Sequence, residues 1–409
     1  MPEQPVSFPE WWSRLAPVQY ASSSPKRVPD PLSSLSTGGA VPPIFSPSGL
    51  GRCLLSHQKV RPMTPADLPD FLRPSAPILR LNGVATPLSE GLTGEGFLRD
   101  ATGAWRPLVE DGSYEVEEQC IRLHDALAVS IFGSADCYYT LLPRAPTFLA
   151  EAGLNSESTI GRDEFEKLLP RFAKFPELNR FLYLYDCQML VSSIQVCTLE
   201  VRQLLAEFYR ILNLEPFFTP GVPQKDGTRW TASANVTSLN ATLGFLFIRM
   251  HSLLDYLTKL AREVESLRTD FATYPKLASS NVLFGDKHKL SIGKQTGTLF
   301  ETCDEVDEVE RIRNLLIHDG LLDDMPKAYE VIKKGAAIER FVLMPDASGA
   351  QFERFKNRRL FYSREDKINL RLTGLVRAFQ LRQVETLKAI RSQLTSAPGD
   401  TTLSKSASA

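Results

Sequence analysis

A four-three alternation of apolar residues runs without a break from Leu239 through Leu243, Leu246, Met250, Leu253, Leu257, Leu260 and Val264 to Leu267. It draws one apolar stripe along a helix for about four heptads, and so long a one-sided helix hides its stripe against other helices. A second segment repeats the pattern at Leu190, Ile194, Cys197, Val201, Leu204, Phe208 and Ile211. Asp186, Glu200 and Arg202 interrupt any membrane span there. A further helix begins after Ser363-Arg364 and runs to about Leu394, with Leu372, Leu375, Phe379, Val384, Leu387 and Leu394 as its core positions. A strongly helical stretch ending at Gly320 lies between these two. The expectation is a mainly α fold, an up-and-down bundle of four long helices over residues 176–395.

Before the last helix the pattern changes. Glu339–Pro345, a Ser348-Gly349 turn and Arg358–Ser363 give short apolar and aromatic runs about a glycine turn, which predicts a small β-hairpin inserted near 338–363. Residues 1–113 are different in kind, because more than half of the 28 prolines lie before residue 110 among Ser and Gly runs. Trp11, Trp12, Phe45, Phe71, Ile78, Leu79, Leu81 and Trp105 are too much apolar surface for a purely disordered tail. This region reads as an irregular, β-containing accessory module that packs on the helical body or recognises a partner or trigger. Residues 114–175 read as a helical connecting region with Leu123, Leu127, Val129 and Ile131 in the core, and 396–409 as a disordered tail.

The stretch Glu310-Arg-Ile-Arg-Asn-Leu-Leu-Ile-His-Asp-Gly320 places Arg313, Asn314 and His318 on the last turns of a helix whose apolar core reads as Leu315-Leu316-Ile317. Arg313-Asn314 followed by His318 resembles the signature of the HEPN family of ribonucleases. The resemblance implies a HEPN-like bundle that cleaves RNA without a metal or other cofactor. His318 would take the proton from a ribose 2′-hydroxyl, Arg313 would stabilise the charged phosphorane, and Asn314 would orient the phosphate or the histidine. The products would be 2′,3′-cyclic phosphate and 5′-hydroxyl ends. Proteins of this kind are often toxins or abortive-infection effectors. The chemistry suits the residue types, since histidine titrates near neutrality and arginine presents a permanent planar cation. Arg313 and His318 lie about 140° apart around the axis, so one copy arranges them loosely. Two copies about a two-fold axis would bring both pairs into one groove, and a homodimer through this helix is expected. The same residue types also suit an ordinary helix end, so a HEPN bundle that binds RNA or protein without cleaving is the second reading.

Two further sets of residues bear on the site. His251 and Asp255, four apart on one helix, are secondary candidates. Arg354, Lys356, Arg358, Arg359 and Arg364 alternate with Phe352, Phe355, Phe361 and Tyr362, as single-stranded RNA binding uses, although the run Glu301, Asp304, Glu305, Asp307, Glu308 and Glu310 is acidic enough to face and neutralise them. His57, His124 and His288 belong to no recognisable constellation. The formal charge of −1 argues against a protein that coats nucleic acid. Six scattered cysteines make neither a Cys-x-x-Cys pair nor a metal-ligand spacing. No targeting or membrane segment is legible, and the cytoplasm is the expected compartment. Gly285–Lys294 fails as a P-loop because its first glycine is too distant and Gln295 stands where a hydroxyl is needed. Ile131-Phe-Gly133-Ser134 resembles the opening of a nucleotidyltransferase site but lacks the paired carboxylates that should follow.

Overall fold

A computed structural model describes residues 77–90, 92–219, 225–320, 322–348, 351–363 and 366–396. The expectations for Trp11, Trp12, Phe45, Phe71, His57, Arg364 and the 396–409 tail therefore lie outside the described residues or at their edge. The fold is mainly α with small antiparallel sheets. Its helices are α1 (Ser113–Phe132), α2 (Ala135–Leu141), α3 (Phe148–Glu151), α4 (Arg162–Leu168), α5 (Leu178–Leu214), α6 (Ala234–Glu265), α7 (Asp304–His318) and α8 (Ile368–Ser396). Among the described residues, no helix is long and apolar enough to cross a membrane.

The core is one continuous cluster in which α5 packs against α6 and α1, α1 also packs against α8, and α7 lies against α6 and α8. From Leu239 to Val264 every residue of the four-three stripe is buried on α6. The stripe outruns the helix, because α6 ends at Glu265 and Leu267 is only half-buried in the loop beyond. On α5 the stripe drifts by one position: Leu205 is buried while Leu204 is half-buried. The largest departure from the sequence reading concerns α1. Expected as a connector, it is a full member of the core, with Val116, Cys120, Leu123, Leu127 and Ile131 turned inward at three- and four-residue spacing. Val129 sits on the opposite side of that stripe and is exposed.

The β content also differs from expectation. Glu339 belongs to a strand, but its partner precedes it. β5 (Ala328–Lys333) and β6 (Ala336–Phe341) form the hairpin, and β4 (Gly227–Thr231) adds a third antiparallel strand on the far side of β5. The turn is Lys334-Gly335, both with positive φ (54° and 75°), the two-residue form whose twist matches that of the strands. Gly349 of the expected Ser348-Gly349 turn lies outside the described residues; on either side of it the two-residue strands β7 (Ala347–Ser348) and β8 (Gln351–Phe352) pair, and Arg358–Ser363 is not in a strand.

Near the start of the described chain, β1 (Leu79–Arg80), β2 (Gly96–Arg99) and β3 (Trp105–Pro107) form a small antiparallel sheet that packs on the helices. Its attachment is specific. The Asn213 side chain accepts from Arg80 N and donates to Arg80 O, both at 3.0 Å. At the first turn of α8, Asn369 donates to Leu81 O at 2.6 Å and accepts from Val342 N at 3.2 Å. Phe97 stacks on Tyr209 at 5.0 Å between ring centroids. One buried amide thus ties sheet, bundle and hairpin together.

Candidate functional site

α7 begins with Asp304, Glu305 and Asp307 in its first turn, where carboxylates oppose the positive end of the helix. It ends where Asp319 N and Gly320 N both donate to Leu315 O, with Gly320 at φ 96°. Val306, Val309, Ile312 and Leu315 fix its rotation by facing the core. That rotation decides where the motif residues go. Asn314 and His318 face solvent, Arg313 is half-buried, Leu316 is half-buried and Ile317 is 49% exposed, so the expected Leu315-Leu316-Ile317 core is buried only at its first residue.

Asn314 and His318 open onto a groove of about 390 Å³. Asp307, Glu310 and Arg311 continue its floor along α7, and the opposite wall carries Gln351, Phe352, Arg354 and Arg359 from the segment after β7. Two of the sequence-predicted cations therefore meet the predicted histidine. Arg359 holds Asp319 at 2.7 Å, directly beside His318. Arg354, Lys356 and Arg358 are exposed and make no ion pair among the described residues. The acidic run faces them only in part, since Asp307 and Glu310 lie across the groove from Arg354 and Arg359. Glu301 and Glu305 pair with Arg382, and Glu308 pairs with Arg371, all on α8. Phe355 is exposed beside Lys356, with the ammonium 5.7 Å from its ring centroid. Phe352 is buried under the Arg311 guanidinium. Tyr362 bonds Leu322 O through its hydroxyl, a structural duty.

Arg313 leaves the groove. Its Nη1 donates to Asn314 Oδ1 at 2.8 Å, and its charge acts on the α6 side, where burial and the nearby guanidinium both lower the His251 pKa against the opposing pull of Asp255. His251 lies between two carboxylates, with Nδ1 3.9 Å from Asp255 and Nε2 3.9 Å from Glu310. Asp255 accepts from Phe284 N at 2.8 Å, which fixes its orientation. Burial raises the Glu310 pKa, partly offset by Lys287. The secondary candidates His251 and Asp255 thus stand with Arg313 rather than with His318, and Glu310 belongs to both groups. Sequence reasoning passed over Glu310, Arg311 and Gln351 as site residues. The first two were legible, since Glu310, Asn314 and His318 recur every four residues on one face and Arg311 lies three and seven residues before Asn314 and His318 on that face. Gln351 was not, because nothing local shows that β8 folds over α7.

Among the described residues, no group of three or more His, Cys, Asp or Glu side chains is arranged to hold a metal ion. The groove sets a solvated histidine and an amide side chain among three arginines, Arg311, Arg354 and Arg359, and three carboxylates, Asp307, Glu310 and Asp319. No family model, curated protein or solved structure matches this chain.

Proposed function

We propose that this chain is a HEPN-like, metal-independent endoribonuclease that acts as a toxin or anti-phage effector. The observation that carries the reading is that His318 and Asn314 open on a groove whose other wall bears Arg354 and Arg359, with exposed Lys356 and Arg358 beyond. Phosphates laid along that wall would bring a ribose to the histidine. His318 then takes the 2′-hydroxyl proton, the 2′-oxygen attacks phosphorus, the P–O5′ bond breaks, and the departing 5′-oxygen takes a proton from a protonated histidine. Arg313 would stabilise the phosphorane from a second copy docked on α7, and exposed Ile317 beside Asn314 and His318 supplies an apolar contact for that copy. The second reading, a bundle that binds RNA or protein without cutting, is favoured by one observation: within one copy Arg313 and His318 occupy different surroundings.

The test is cleavage of single-stranded RNA by purified protein in excess chelator, with a 2′-deoxy oligonucleotide and His318→Ala as controls. Cleavage of RNA alone, leaving cyclic phosphate ends and lost in the variant, supports the nuclease reading. RNA retained by the protein but uncut supports the binding module. Cleavage of the 2′-deoxy strand, or loss of activity with chelator, rejects the mechanism.

A further inference from the structure

Away from the groove, the chain after α3, the start of α4 and the first turns of α5 line a partly open cavity of about 250 Å³. Its walls are mostly apolar, from Leu149, Ala152, Leu154, Ile160, Phe165 and Leu182. Two polar side chains enter it, Asp186 of α5 and Tyr274, whose hydroxyl donates to Asp186 Oδ2. Small-molecule sites have this form, apolar walls with a few placed polar groups. A dry cavity of about 150 Å³ accepts benzene, so a ring with a short chain fits here.

The charge is one-sided. Asp186 is partly buried, and no Lys, Arg or His among the described residues pairs with it. Behind it stands Glu263, fully buried, which accepts from Tyr183 Oη at 2.6 Å and Ser279 N at 2.9 Å and likewise has no cationic partner among the described residues. Arg162 at the rim points to solvent and is held by Glu166 at 2.9 Å, so its charge is offset. A half-buried carboxylate that keeps a phenol donor but no cation is costly as an anion, and either a proton or an incoming cation relieves that cost. We propose that this cavity binds a small organic ammonium ion, its apolar body against Phe165 and Leu182 and its –NH₃⁺ on Asp186.

Burial, with Glu263 adding to it, raises the Asp186 pKa, and the Tyr274 bond lowers it. Binding should therefore weaken as pH falls through a value above the ordinary carboxylate range, as Asp186 takes up a proton. The experiment titrates the full-length protein calorimetrically with 2-phenylethylammonium, cyclohexylmethylammonium and n-hexylammonium, using 2-phenylethanol as the neutral analogue. The expected result is saturable 1:1 binding of at least one ammonium ion. Asp186→Asn, and replacement of the ammonium by the alcohol, should each weaken it at least about tenfold, the size of a lost charge-assisted hydrogen bond. Saturation by none of the three ions at millimolar concentration overturns the proposal, as does equal affinity for the alcohol. The wild-type comparison of ion and alcohol decides the matter even if Asp186→Asn misfolds.

Discussion

His318 and Arg313 are five residues apart, and on a helix that spacing sends the two side chains to different flanks. The structure follows that arithmetic: His318 stands in the groove and Arg313 on the α6 side, bonded to Asn314 and close to His251. His318→Ala removes an exposed side chain and should change stability by no more than about 0.5 kcal/mol while abolishing most RNA cleavage. Arg313→Lys should recover only part of the activity lost in Arg313→Ala, because an ammonium lacks the planar fork. Cleavage by His318→Ala at the wild-type rate would remove this histidine from the mechanism. His124, which the sequence left without a role, makes a separate prediction. It is buried on α1, and burial pushes its pKa down from 6.5 to about 4, against the bond to Gln195. The unfolded chain therefore binds the proton more readily than the folded one between those values. Stability should fall as pH drops from 6.5 toward 4, by up to about 3 kcal/mol from this group. His124→Gln should flatten that limb of a melting-temperature profile, and an unchanged slope would assign it to other groups. The buried imidazole was not legible in sequence, because His124 sits on a stripe whose partners α5 and α8 lie far along the chain.

At the scale of elements, periodicity located α5, α6 and α8 because each buries one face, and a face repeats in sequence, whereas α7 was legible from its motif and its stop at Gly320. It failed on the sheet because pairing is a relation between segments. Lys334-Gly335 was overlooked in favour of Ser348-Gly349, although its two positive φ values make it the tighter turn. Lysine and asparagine both carry a Cβ that is strained in that conformation, but the short asparagine amide offsets the strain by bonding the local backbone, so Lys334→Asn should stabilise the protein by roughly 0.5–1 kcal/mol in urea unfolding. A loss of stability would mean that the turn is not of this type. The hairpin is joined to the bundle through Glu330, 2% exposed, which bonds Arg229 with one oxygen and Arg340 with the other. Arg340 in turn donates to carbonyls at the end of α5, Glu215 O at 3.1 Å among them. Glu330→Ala leaves two arginines uncompensated and should cost about 3–5 kcal/mol by denaturant unfolding, against near neutrality for a surface ion pair. A cost below about 1 kcal/mol would show that the arginines find water instead.

At the scale of the molecule, the question is whether one copy suffices. Glu310, Asn314 and His318 form a stripe along α7, and Arg313 lies off it, so a single groove presents His318 without Arg313. A two-fold pairing of α7 helices would supply the arginine of one copy to the histidine of the other, with Ile317 in the contact. This yields a complementation prediction. Arg313→Ala and His318→Ala homodimers should each be inactive. After mixing and subunit exchange, half of the dimers are mixed, and each contains one site with both groups intact and one with neither. Activity should therefore return to roughly a quarter of wild type, the statistical value for a site shared across a two-fold axis. Sedimentation should show the dimer in every sample. No recovery despite proven exchange would place Arg313 and His318 of the same chain in one site, and a monomer with full activity would remove the shared site altogether.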